Sequence, residues 1–169
     1  MLRSAQAAAL ELGHGYVGCE HLLLAMLREE EDAPGRALRA SGVEEEKTRA
    51  LITRAVGRGE ADLAPPQGLT PHARCAVEMA VTEAERSGSR EIESGHLLLG
   101  MLRDGGNMAV RLLHREGVDT RKLYGDTVRA MSLTVRKSAG GEPRASRGES
   151  KSGKTLAEFT RDLTAMARE

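Results

Sequence analysis

Three observations predict an all-α protein. The chain has 169 residues and is 40% hydrophobic, yet only Tyr16, Tyr124 and Phe159 are aromatic. Its core must therefore be built from Leu, Ala, Val and Met, which suits close-packed helices better than sheets. Second, GCEHLLLAMLREE in the first half returns as ESGHLLLGMLRDG in the second, so that His21 recurs 75 positions on as His96 and Arg28 as Arg103. The same shift carries Gly13 onto Gly88, Leu38 onto Leu113 and Gly42-Val43 onto Gly117-Val118, a register that marks an internal duplication. Third, the apolar positions recur at i, i+3, i+4 between recognisable caps. The expected architecture is two pseudo-twofold-related four-helix repeats, at 1–57 and 69–132. An inter-repeat linker (58–68), a second linker (133–154) and a short helix in 155–169 complete it.

The clearest helix is Pro71 to Ser87, with Ala73, Ala76, Val77, Ala80, Val81 and Ala84 on one face. Thr70 stands as its N-cap, Pro71 at N1 needs no amide donor, and Gly88 closes it. Its counterpart starts at or before Met1 and ends near Gly13. Second helices are expected at about Glu20–Glu29 and Gly95–Arg103, and third helices at Gly35–Ala40 and Met108–Arg115. Fourth helices follow at about Glu44–Val56 and Thr120–Ser132, the first opened by three glutamates that suit the positive end of the helix dipole. Pro65-Pro66 and the surrounding glycines mark the linker between copies. The segment from Thr134 to Lys154 is rich in Ser, Gly and charge and has almost nothing to bury, which reads as a solvated tether. After it, Leu156, Phe159, Leu163 and Met166 share one face of a final helix.

Charge and cysteine content exclude several classes. With 25 basic and 25 acidic residues the chain has no net charge to neutralise phosphates, so nucleic acid is not an expected partner. Cys19 and Cys75 have no C-x-x-C partner, which suits a reduced cytoplasmic setting. No apolar run approaches membrane-spanning length, so no membrane partner is expected.

GESKSGKT (148–155) fits the G-x-x-x-x-G-K-[ST] phosphate loop through Gly148, Gly153, Lys154 and Thr155. Such a loop needs a buried strand before it, and SAGGEPRAS has no apolar run. Thr155 with Glu158 instead spells a capping box. The match is read as accidental, with no cofactor expected; a small nucleotide-binding protein using 148–155 is the rival reading from another class. No metal is expected either. His21 and His96 recur at equivalent positions, which argues for a shared packing or helix-start role, and spacing alone completes no ligand set around His14.

LGHGYVGCEHLLLAMLREEEDAPGRALRASGV and HLLLGMLRDGGNMAVRLLHREGVD resemble the duplicated N-terminal domain of the bacterial Clp ATPases, especially the ClpC type. The likeness covers about residues 1 to 132, and TLAEFTRDLTAMARE is similar to the stretch that opens the first ATPase module. It implies a non-enzymatic recognition domain without its motor, partnered by adaptor proteins and clients of a Clp protease and by Clp ATPase or protease subunits. A standalone regulator of a Clp complex is the alternative within that class. In the ClpC type the domain also recognises phosphoarginine, and the family's G-T-E-H motif maps onto Glu20, with Cys19 and Ser94 at the threonine position. Gly95 replaces the second glutamate, for which Glu93 is the nearest substitute. Ser94 is expected to cap its helix, and Thr70 to stand beside the second site, leaving each site half-equipped.

Overall fold

The computed structural model describes residues 1–29, 31–59 and 65–138, with side chains to Ser132. Eight helices follow in order: α1 Leu2–Leu12, α2 Cys19–Arg28, α3 Ala33–Ala40, α4 Glu45–Val56, α5 Pro71–Ser87, α6 Ser94–Asp104, α7 Met108–Arg115 and α8 Thr120–Ser138. The fold is all-α, as expected. α5 starts where Thr70 accepts a hydrogen bond from the Ala73 amide (3.3 Å) and ends where Gly88 turns left-handed at φ 68°. Gly13 ends α1 the same way at φ 71°. A side chain would be strained at either position.

The two copies are interlocked. α1 lies on α2 and α5 on α6, but α3 packs on α8 and α4 on α7, so each copy's third helix meets the other copy's fourth. One core cluster accordingly draws on both copies, from Ala5, Leu22 and Leu38 to Ala76, Leu98 and Leu113. α2 is buried nearly all round: Leu22 to Leu27 are each at most 1% exposed. An apolar run of that kind belongs to a central helix rather than to an amphipathic surface one. α5 and α6 form the most extensive helix pair, and Gly100 explains their closeness. A Cβ there would lie 2.5 Å from the Ala76 carbonyl oxygen and 2.9 Å from the Ala80 nitrogen.

One element departs from expectation. α8 continues to Ser138, six residues beyond the expected end at Ser132. Low apolar content suggested a linker there, but no glycine or proline interrupts the chain between Asp126 and Ala139, so helix propagation has no breaker. The GESKSGKT string (Gly148, Gly153, Lys154 and Thr155 included) and the helix expected after it lie outside the described residues.

Candidate functional site

The starts of α2 and α6 are built alike. Their caps are Gly18 and Glu93, each with extended backbone, and the third helical residue is a histidine in both. The Gly18 amide donates to His21 Nδ1 (2.9 Å) and the Glu93 amide to His96 Nδ1 (3.0 Å). A neutral imidazole that accepts at Nδ1 carries its proton at Nε2. His21 Nε2 then donates to His14 Nδ1 (2.8 Å), and His14 Nε2 donates to the Gly57 carbonyl (3.1 Å). In the second copy His96 Nε2 donates to Ser87 Oγ (3.0 Å), whose own hydroxyl donates to the Ala84 carbonyl (2.9 Å). Both chains run from an orphan helix-start amide to a backbone carbonyl, so both histidines hold the helix-start role that the repeat implied. Burial, with a smaller push from His14, brings His21 down to about 4; burial likewise lowers His96.

Beside this chain sits Glu20, with its side chain 12% exposed. Its carboxylate folds back over Gly18, where a Cβ would lie 2.5 Å from each carboxylate oxygen. Glycine at the cap is what leaves room for it. Burial raises the Glu20 pKa, partly opposed by a hydrogen bond from its own backbone amide and by His14. Several other carboxylates have cationic partners: Glu11 and Glu45 bind Arg28 and Arg49, Glu83 binds Arg103, and Glu29 binds the N-terminal amine, whereas the partly buried Asp32 and Glu116 accept from the hydroxyls of Ser94 and Thr48. No lysine or arginine pairs with Glu20 among the described residues; its nearest ring nitrogen, His21 Nδ1 at 3.6 Å, already accepts a hydrogen bond from the Gly18 amide. Cys19, next to it, is buried, and its thiol is pushed up to about 12, by burial first and then by the Glu20 charge. It is no nucleophile at neutral pH.

The fold brings Thr70 to this end of the molecule. Val17 and Leu69 form a parallel bridge, in which the Val17 amide donates to the Gly68 carbonyl (2.8 Å) and the Thr70 amide to the Val17 carbonyl (2.9 Å). Thr70 therefore flanks the approach to α2 and not, as expected, the start of α6. The reason is that the first turn of α5 packs at the end of α6, where His72 meets Asp104 (3.0 Å), a pairing that periodicity along one chain does not report. Cys19, Glu20 and Thr70 fall in one region; Glu93 and Ser94 fall in another.

That second region is differently furnished. Ser94 does not cap α6. It is the first helical residue, and its hydroxyl donates to Asp32 Oδ2 (2.9 Å) at the start of α3. Gly95 cannot be replaced without displacing Met131, whose Sδ fills the place of an added Cβ. Glu93 lines a cavity of about 780 Å³ between the end of α5, the start of α6 and α8, with Arg86, Arg90, Leu99, Tyr124 and Met131 among its walls. Behind it Glu83 is buried, and hydrogen bonds from Arg103 (2.6 Å) and Tyr124 (2.8 Å) outweigh the upward effect of burial on its carboxyl.

His14, Glu20 and His21 also form a group that spacing had not revealed: their ligand atoms lie within 4.8 Å of one another. The expectation that no ligand set surrounds His14 is corrected to that extent. A cation taking His21 at Nε2 would force the proton to Nδ1 and orphan the buried Gly18 amide, so the tautomer that holds the helix start opposes metal binding. No helix among the described residues is long and apolar enough to cross a membrane.

Fold and site together define an all-α domain with two helix starts of matching construction. The chain belongs to the Clp repeat (R) N-terminal domain family, whose model matches residues 1–70 and again 68–159. Among curated relatives it is 32% identical to the negative regulator of genetic competence ClpC/MecB of Bacillus subtilis, over all of this chain and 20% of that protein. It is 32% identical to the chaperone protein ClpB of Oceanobacillus iheyensis (100% and 21%), and 35% identical to the Clp protease ATP-binding subunit ClpA homolog of Cyanidium caldarium (98% and 19%). The chain thus spans about a fifth of the length of these relatives. The N-terminal domain of ClpD from Arabidopsis thaliana shares the fold with a TM-score of 0.62 at 23% identity, covering 77% of this chain and 91% of that one. The N-domain of ClpV from Vibrio cholerae does so at 0.61 and 21%, covering 78% and 80%.

Proposed function

We propose that this chain is a non-catalytic recognition domain of a Clp-type, cytoplasmic protein-degradation system. It takes adaptor proteins or marked clients and presents them to an ATPase and protease, most closely in the manner of the ClpC type. The Bacillus subtilis relative supports that type, although ClpA- and ClpB-named relatives align over as much of the chain. The observation that carries the reading is Glu20: a carboxylate largely removed from water, at a helix start, with no arginine or lysine of its own among the described residues. A desolvated carboxylate without a cationic partner is costly, and a guanidinium from a ligand relieves that cost.

Phosphoarginine meets both halves of the site. Its guanidinium N–H groups donate to the Glu20 carboxylate, while its phosphoryl oxygens face the positive end of α2. Thr70, on the segment bridged to Val17, borders the same end. The second helix start has no equivalent carboxylate at Gly95, so one site per chain is proposed, at α2. Calorimetric titration with free phosphoarginine, with arginine as control, tests the reading. Saturable binding of phosphoarginine alone, weakened at least about tenfold in Glu20→Gln, is expected. Equal binding by the variant would remove the carboxylate from the account.

A further inference from the structure

A second charged site lies away from both helix starts. Between the C-terminal turn of α4 and α7 is a cavity of about 330 Å³ lined by Arg54, Ala55, Met108, Arg111, Leu112 and Arg115. It has three guanidinium groups and no acidic residue in its walls. None of the three guanidinium groups makes a hydrogen bond or ion pair among the described residues, in contrast to Arg28, Arg49 and Arg103, which are tied to carboxylates. Three like charges around one small space repel, and an anion seated among them removes the repulsion.

The duplication supplies an internal control. The 75-residue shift places Arg54 onto Arg129, Arg111 onto Arg36 and Arg115 onto Ala40. In that mate Arg129 is neutralised by Asp126 (2.7 Å), and Arg36 donates to the Glu31 carbonyl (2.6 Å). The position of Asp126 corresponds to Leu51 in α4, so the α4–α7 cavity has one more arginine than its mate and lacks its acid. Glu116, at the end of α7, accepts from the Thr48 hydroxyl (2.8 Å), two turns of α4 away from Arg54. The favourable setting of a basic residue in a helix's last turn accounts for Arg54 and Arg115, but not for Arg111 in the middle of α7.

We propose that the α4–α7 cavity binds a phosphate-type anion carried on a short carbon stem. Arginine forks match the oxygens of a phosphoryl group, and three of them supply the donors that a dianion needs. Leu112, fully buried, and the half-buried Met108 provide an apolar floor for the stem. This site is independent of Glu20.

The test is an amide chemical-shift titration of the whole chain in phosphate-free, low-salt buffer, using inorganic phosphate, phenyl phosphate and tetraglutamate. Saturable shifts are expected at 53–56 and 108–115, with phenyl phosphate binding more tightly than inorganic phosphate and tetraglutamate weakest. Arg111→Gln with Arg115→Gln is expected to weaken phenyl phosphate roughly tenfold or more, while Glu20→Gln leaves these shifts unchanged. All three arginines are exposed, so the fold should survive, and an unchanged spectrum elsewhere checks this. The proposal is overturned if phosphates leave the α4–α7 amides unmoved. Tighter binding of tetraglutamate than of phenyl phosphate would overturn it too, in favour of an acidic protein surface.

Discussion

Acidification should weaken this fold through His21 ahead of the carboxylates that ion pairs hold low. Burial takes His21 from its ordinary 6.5 down to about 4, so as pH falls the unfolded chain takes up its proton first. The stability involved is fully present above about pH 6.5 and drains away as pH falls towards about 4. At pH 5 the two protonation equilibria differ by about 2 kcal/mol, a large part of the stability of a domain this size. His96 is shifted in the same direction and adds to the loss. Glu20 acts in the opposite sense: burial raises its carboxyl, so it is protonated earlier in the fold than in the unfolded chain, which returns some stability above 4.5 as pH falls. Glu11, Glu45 and Glu83, all lowered, contribute losses only below about that point. His21→Gln isolates the imidazole, because a glutamine oxygen at this position can still accept from the Gly18 amide. Urea unfolding at pH 7.5 and pH 5, followed by helical circular dichroism, should show the gap between wild type and variant narrowing by about 2 kcal/mol. A gap that stays constant across that range would refute the buried neutral histidine.

Three further outcomes are expected from packing. Gly100→Ala should cost about 1–3 kcal/mol in urea unfolding, because the new methyl meets the α5 backbone rather than a movable side chain. Gly95→Glu should destabilise by a similar amount, and adding Met131→Ala should recover much of it by removing the sulfur that fills the space. Tyr124→Phe should lose about 1 kcal/mol in thermal or urea unfolding and raise the Glu83 carboxyl, measured by carbon chemical shift, since Glu83 then keeps Arg103 but not the phenol.

What the sequence made legible was local. Thr70, Pro71 and Gly88 state the limits of α5 in three residues, and Gly117 marks the turn after α7, whose cap at Asn107 the sequence reading passed over. The end of α8 was missed because sparse apolar residues were read as a linker although no breaker was present. The helix starts were half legible. The repeat flagged His21 and His96, but their caps proved to be Gly18 and Glu93, three residues earlier, and not Cys19 and Ser94. The spacing between each cap and its histidine, preserved by the 75-residue shift, was the available signal. Crossing between copies was not legible at all. Thr70 joins Val17, and Ser94 meets Asp32 across 62 residues, through contacts that only the folded interlock creates. The burial of Glu20 likewise depends on that three-dimensional arrangement.

The most direct test of the account is to locate phosphoarginine on the chain. In an amide chemical-shift titration with a phosphoarginine peptide, Gly18 to Leu22 and Thr70 to Ala73 should shift together and saturate, and Glu20→Gln should weaken that response at least about tenfold. Saturation first at Glu93 to Leu97, or no saturable response at the α2 start, would contradict it.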